Sequence, residues 1–275
     1  MVLFVVALFK LLVPVTSWRR LCSRAMDGIG TIWIFFNNCN NKLINKIHWD
    51  VRGTEKLEKN RWYLVLANHQ SWVDILVMQK IFYRKIPFLK FFLKKELLWV
   101  PVLGLAWWAL DYPFLERSSS TLRDIETTKK ACEKFGTLPV SIMNFVEGTR
   151  FSKEKHREQR SPYSHLLKPK AGGTALVLAA MGEQLHSILD VTIAYPEGAK
   201  SFWAFLCGEI GEIKVRVKSL PIDKEISGDY FRDREFRKRF RNWLNALWVE
   251  KDKTLAALLD KGESNTPAFP GSSSQ

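Results

Sequence analysis

Four short apolar runs set the limits on this chain. Tyr63–Ala67 (YLVLA), Pro139–Phe145 (PVSIMNF), Leu189–Tyr195 (LDVTIAY) and Ile213–Val217 (IKVRV) are each too short for a core helix and rich in β-branched or aromatic residues. Between them lie helical patterns at Ser71–Phe82, Leu122–Phe135 (after a Ser-Ser-Ser cap) and Gly173–Met181. Strands that alternate with helices predict an α/β fold, a mostly parallel sheet flanked by helices. No internal repeat and no linker divides this part. Three regions follow: residues 1–48, apolar and N-terminal; 49–261, the α/β domain; and 262–275, a Ser/Pro/Gly-rich tail whose composition predicts disorder.

The N-terminus is of another kind. Met1–Trp18 is apolar apart from Lys10 and a short polar end, and Arg19, Arg20 and Arg24 follow. As a helix it would be roughly 27 Å long, just short of a bilayer core. A secretory signal places its charge before the apolar run, so the reversed order predicts an uncleaved anchor with the following residues cytoplasmic. Ile29–Phe36 is a second apolar stretch, too short to span alone. One spanning helix and a pair of helices lying in one leaflet both fit, as does a helix buried in the protein's own core.

Charge narrows the partners. Lys and Arg total 42 against 28 Asp and Glu, a formal net charge of +14, and 11 residues are Trp. Such a surface suits a polyanion, and the Trp and Phe content tilts the choice from nucleic acid toward an anionic membrane. Between Phe82 and Phe114, aromatic residues interleave with Arg84, Lys85, Lys90, Lys94 and Lys95. That pattern fits a membrane surface, a stacking platform for single-stranded nucleic acid, or a core helix with a solvated rim. Arg232–Trp248 reads as a basic amphipathic helix, with Phe236, Phe240, Trp243, Leu244 and Leu247 on one stripe. Cys22, Cys39, Cys132 and Cys207 are scattered without metal-ligand or disulfide spacing, which predicts reduced thiols.

The chemistry sits at two strand ends. After Tyr63–Ala67 come Asn68, His69 and, five residues beyond the histidine, Asp74. Within one helix that separation places two side chains ~140° apart. With His69 in the turn and Asp74 in the first turns of the helix they can meet. The carboxylate then holds Nδ1–H and leaves Nε2 free as a base. No Ser or Cys nucleophile is adjacent, so the pair suits deprotonation of a substrate hydroxyl. Strand ends of this kind are where α/β folds place their sites.

The second strand end reads Asn144-Phe-Val-Glu147-Gly148-Thr149-Arg150. Thr149 and Arg150 offer donors suited to a phosphate monoester, and a structural Glu–Arg pair is the plainer alternative. Lys168 and Lys170 precede a helix N-terminus, another anion-friendly position. GxxxxGK, GxGxxG, GxSxG and HExxH are absent from the sequence, which removes the common nucleotide, dinucleotide, serine-hydrolase and zinc-protease readings.

NHQSWVD (Asn68–Asp74) resembles the NHxSxxD block of glycerolipid acyltransferases. The chain is similar to the bacterial 1-acylglycerol-3-phosphate acyltransferase family, in its lysocardiolipin-acyltransferase-like branch. Lys94–Gly104 resembles the family's second block, with Lys95, Pro101 and Gly104 in place and Arg117 as its closing arginine. Asp111–Arg117 departs from the usual form, which has a glycine before its Phe-Ile-x-Arg piece. Phe145–Ser152 resembles the third block and Val191–Pro196 the fourth, with Pro196 in place.

The resemblance implies that His69 and Asp74 are catalytic. It also implies that Lys95, Arg117, Glu147, Gly148, Thr149, Arg150 and Pro196 form the substrate site. The implied reaction moves an acyl chain from acyl-CoA or acyl-carrier protein to the free hydroxyl of lysophosphatidic acid or a related lysophospholipid. No metal or bound cofactor is implied, and no nucleic acid is expected as a partner. The implied place is the cytoplasmic face of a bacterial inner membrane. Two other readings stand beside it: a basic nucleic-acid-binding α/β protein, and a catalytically idle membrane-shaping relative.

Overall fold

The computed structural model describes residues 2–260 except 14, 45, 92, 102, 111, 113, 116–125, 127–137 and 224. The expected helix at Leu122–Phe135 and the 262–275 tail therefore lie outside the described residues, apart from Glu126, which is helical.

The N-terminal apolar stretch is not one helix. It divides between α1 (Val2–Leu12) and α2 (Thr16–Ile44). Proline lacks the amide hydrogen a helix needs and disfavours helix in the residue before it, so the sequence itself argues against one continuous helix over Met1–Trp18. α1 has 11 residues, about 16 Å of helix. α2 is longer, but its first turns hold Arg19, Arg20 and Arg24. Among the described residues no helix is long and apolar enough to cross a membrane, which corrects the expectation of a spanning segment. What these helices present is an apolar exterior, with Val5, Leu8, Phe9, Leu12, Trp33 and Phe36 all exposed. They join the rest of the chain through an Asp27–Lys90 ion pair of 3.4 Å. Gly30 lies so close to the Phe88 ring that a Cβ there would sit 2.8 Å from it.

The α/β unit runs β1 (His48–Arg52), β2 (Tyr63–Ala67), α3 (Val73–Ile81), β3 (Leu89–Phe91), β4 (Leu93–Lys94), a 3-10 turn (Lys95–Trp99), α4 (Leu103–Ala109) and β5 (Phe114–Leu115). It continues with β6 (Ser141–Phe145), α5 (Lys153–Glu158), α6 (Ala171–Met181), β7 (Ser187–Ala194), α7 (Phe202–Leu206), β8 (Glu212–Leu220) and α8 (Arg234–Leu259). Six strands form one sheet in the order β1-β8-β7-β2-β6-β3, and β4 pairs with β5 in a separate two-stranded ladder. All pairs in the six-stranded sheet are parallel except β7–β8. The mostly parallel α/β sheet is thus as expected.

Strand periodicity explains why β2 reads as a continuous apolar run. Leu64 and Leu66 face one core with Ile142, Ile188, Val177, Phe240 and Trp248, so α6 and α8 cover that face. Tyr63, Val65 and Ala67 face the other, with Val73, Val77, Met78, Leu189, Val191 and Ile193. Alternate side chains point to opposite faces, and both faces are covered, so all five residues are buried. α8 extends eleven residues beyond the expected Trp248, and its buried stripe is Phe236, Phe240, Leu244, Trp248, Lys251, Leu255 and Leu258. A lysine within an apolar stripe is the anomaly of that helix.

Candidate functional site

β2 ends at Ala67, and the next residue replaces main-chain pairing with side-chain pairing. Asn68, fully buried, donates from Nδ2 to the Ile193 carbonyl (2.9 Å) and accepts from the Ile193 amide at Oδ1 (2.8 Å). This side-chain rung fixes the end of β2 against β7 and delivers His69 to the carboxyl edge of the sheet.

His69 is held on its backbone as well as its ring. Its amide donates to Glu147 Oε1 (3.1 Å), and its carbonyl accepts from the Phe151 amide (2.7 Å). The ring stacks on Phe145, centroids 3.8 Å apart and planes 11° from parallel. Nδ1 lies 2.8 Å from Asp74 Oδ2. Assigned by that contact, Nδ1 carries the hydrogen and Nε2 keeps its lone pair. The side chain is 12% exposed and Asp74 is fully enclosed, so the pair opens outward only through the imidazole.

Asp74 stands in the first turn of α3, where exposed amides favour an anion. Oδ2 also accepts from the Gln70 amide (2.6 Å) and the Ser71 amide (2.9 Å), and Oδ1 accepts from the Tyr195 hydroxyl (2.6 Å). Burial and the neighbouring carboxylate push the Tyr195 phenol well above its ordinary pKa, so it remains a donor. Ser71 ties this turn to the segment after β7 by donating from Oγ to the Lys200 carbonyl (2.7 Å).

The β6 turn forms the other wall. Glu147 is fully buried, and its carboxylate accepts from the His69 amide on one oxygen and the Leu167 amide on the other, both at 3.1 Å. Burial is the main reason its pKa is pushed up to about 8. It is therefore a brace between main-chain segments, turned away from solvent. Gly148 has φ +68°, which only glycine adopts without strain, and the Lys170 side chain lies against it. Thr149 Oγ1 accepts from Lys155 Nζ (2.8 Å), which also reaches the Arg150 carbonyl (3.1 Å). The Arg150 guanidinium lies 4.8 Å from the centre of the exposed Trp72 ring. Thr149, Arg150, Lys155 and Lys170 thus gather donors and positive charge on the turn whose Phe151 amide bonds the His69 carbonyl.

The remaining expected residues are placed as follows. Pro196 directly follows Tyr195 and is half-buried. Lys95 opens the 3-10 turn Lys95–Trp99. Arg117 lies outside the described residues. Tyr195, Asn68 and Phe145 were not among the expected site residues. For Tyr195 a signal was present: a phenol at the end of an apolar run, directly after β7 on the sheet edge that carries the histidine. Among the described residues no cluster has the side chains to hold a metal ion, and Cys22, Cys39 and Cys207 are free thiols.

Beneath the site, Lys251 of α8 reaches the sheet. Its ammonium is fully buried, 2.6 Å from Asp190 Oδ1 and 2.5 Å from the Val191 carbonyl, and it lies over the Trp248 ring. Burial lowers its pKa, while Asp190 and, more weakly, Glu147 pull the other way. Trp248 donates from Nε1 to the Leu167 carbonyl (3.1 Å), so α8, Leu167, Glu147 and His69 form one hydrogen-bonded series.

A mostly parallel sheet thus carries, at its carboxyl edge, a buried Asp hydrogen-bonded to a His that is only slightly exposed, the place where α/β folds hold their sites. Residues 48–196, more than half the chain, match the acyltransferase family, and the chain belongs to it.

Among its relatives is an uncharacterised acyltransferase of Schizosaccharomyces pombe, 25% identical over 255 residues, covering 84% of this chain and 68% of that protein. Another is the human 1-acyl-sn-glycerol-3-phosphate acyltransferase gamma, 28% identical over 223 residues, covering 76% of this chain and 55% of the relative. The Arabidopsis thaliana 1-acyl-sn-glycerol-3-phosphate acyltransferase 3 is 25% identical, covering 72% and 54%. The chain thus spans about half the length of the human and plant relatives. Among solved structures, the 1-acyl-sn-glycerophosphate acyltransferase of Thermotoga maritima is similar with TM-score 0.49 and 17% identity, over 92% of this chain and 87% of that one.

Proposed function

We propose that this acyltransferase moves an acyl chain from a thioester donor, acyl-CoA or acyl-carrier protein, to the free hydroxyl of a lysophospholipid. The observation that carries the reading is the His69–Asp74 contact beside the cationic turn at Thr149–Arg150. His69 Nε2 takes the proton from the acceptor hydroxyl, and the oxygen attacks the thioester carbonyl. The tetrahedral adduct collapses with cleavage of the carbon–sulfur bond. The thiolate leaves and takes the proton back from the imidazolium. Asp74 keeps Nδ1 protonated and steadies the positive ring.

Arg150 and Thr149, with Lys170 beside Gly148, meet the acceptor's phosphate; Lys95, Arg117 and Pro196 complete the substrate site by resemblance. Glu147 serves the site as a brace for His69. Residues 49–261 make up the catalytic unit. The apolar exterior of α1 and α2, with Arg19, Arg20 and Arg24, seats the enzyme on an anionic membrane, the cytoplasmic face of a bacterial inner membrane in this reading.

The test is acyl transfer by purified protein to lysophosphatidic acid, lysophosphatidylglycerol and lysocardiolipin, each with both donors. Transfer to at least one acceptor, abolished in His69→Ala with the fold intact, is expected. Full activity without His69 would sink the mechanism.

A further inference from the structure

The two oxygens of Asp74 are treated differently. Oδ2 accepts from His69 Nδ1, Gln70 N and Ser71 N, all from its own turn. Oδ1 accepts from Tyr195, which lies 121 residues further along the chain, directly after β7. The Tyr195 ring is 1% exposed and set among the apolar residues of the α3 face, so its hydroxyl has a fixed direction. Without that bond a carboxylate in a site closed to water would have one oxygen unsatisfied, free to swing toward other donors and take Oδ2 with it.

We propose that Tyr195 is a positioning residue of the active site: its hydroxyl fixes the Asp74 carboxylate and shares its charge, and so sets the orientation and basicity of His69. The inference rests on the reading of His69 as general base. Hydrogen bonding to the far oxygen draws negative charge away from the His69 side. Removing the phenol leaves that charge concentrated on Asp74, which holds the imidazolium more tightly, so the base becomes competent only at higher pH. Among the described residues, the other ionisable groups near the pair include Glu147, braced to the His69 amide, Lys251 behind it with Asp190, and Arg150 against Trp72. A substitution at Tyr195 leaves all of them in place.

The experiment measures kcat, KM and the pH profile of kcat in the full chain, on whichever acceptor and donor the wild type uses. Tyr195→Phe removes one oxygen and keeps the ring. Expected are a roughly tenfold fall in kcat with both KM values unchanged, the rate equivalent of a weakened charge-assisted hydrogen bond, and an acid limb moved to higher pH. Site-specific 3-fluorotyrosine at 195, a stronger donor of nearly the same size, should move the acid limb to lower pH; it keeps the test alive if the Phe variant folds poorly.

A Tyr195→Phe enzyme with lower thermal stability but wild-type kcat and pH profile, or a fluorotyrosine enzyme with an unmoved acid limb, would show a structural role only and overturn the proposal. His69→Ala is run beside them. If it stays active, the general-base reading has failed. If it is dead while the Tyr195 variants match wild type, only the positioning role has failed.

Discussion

Glu147→Gln separates the brace from its charge. In the wild type both carboxylate oxygens accept main-chain hydrogens, and burial raises the group from 4.5 to about 8. The gap of 3.5 units (8 − 4.5) corresponds to a few kcal/mol, on the order of 5, when the group is ionised in both folded and unfolded chains. The sign follows from proton counting. Between about pH 4.5 and 8 the folded protein holds a proton that the unfolded chain has released. Stability therefore falls as pH rises through that window, by at most ~1.4 kcal/mol per unit, and levels off above it.

Glutamine does not titrate, so its contribution is flat across the same range. It has one acceptor oxygen, and its amide group faces the other main-chain N–H, leaving a buried donor unsatisfied at about 1–3 kcal/mol. At pH 5 the variant should therefore be less stable than wild type by about that amount. By pH 8 the order should reverse. Urea melts followed by Trp fluorescence in one detergent, at pH 5, 6, 7 and 8, give the difference directly. Lys251, Asp74 and Asp190 are present in both proteins and largely cancel. A stability difference that stays constant from pH 5 to 8, or widens against the variant, would refute the assignment of Glu147 as a buried brace with a raised pKa.

Other outcomes are expected. Lys251→Ala should lower stability by about 3–5 kcal/mol by leaving Asp190 buried without its cation, and the double change Lys251→Met with Asp190→Asn should recover much of the loss in the same melts. Gly148→Ala forces a side chain into positive φ and against Lys170, which should lower stability by about 1–2 kcal/mol. Arg150→Ala should raise KM for a phosphate-bearing acceptor roughly 10- to 100-fold, with kcat little changed, if its guanidinium meets that phosphate.

The strands that carry the site were legible because both their faces are buried. β2 appears in the sequence as an unbroken apolar run, β6 and β7 as apolar runs interrupted by Ser141, Asn144, Asp190 and Thr192, and the turns that follow them change abruptly to Asn, His, Glu and Gly. β1 and β3 were not read. Both sit at sheet edges; β1 is His-Trp-Asp-Val-Arg and β3 only three residues, so neither shows a two-faced apolar pattern. Of the N-terminal arrangements the sequence left open, the spanning helix is the one that the described helices do not provide, and Lys10 and Pro14 are its weak points in the sequence. In the site, His69 and Asp74 were legible because their partnership is local. Glu147 was visible as a motif residue, but its burial and its two main-chain bonds, which make it a brace, are not encoded in the motif. Tyr195 and Lys251 act across 121 and 60 residues of chain, and no local spacing encodes such pairs.

The series from Trp248 through Leu167 and Glu147 to His69 has a consequence for the order in which the enzyme comes into being. During synthesis His69 and Asp74 emerge early, before Glu147, Tyr195 and α8, which hold them from a distance. The wall behind them waits for α8, since both Trp248 and Lys251 belong to that helix. A nascent chain that already carries every residue up to Pro196 therefore lacks the α8 side chains that back these residues. The series closes only when α8 has docked on the sheet.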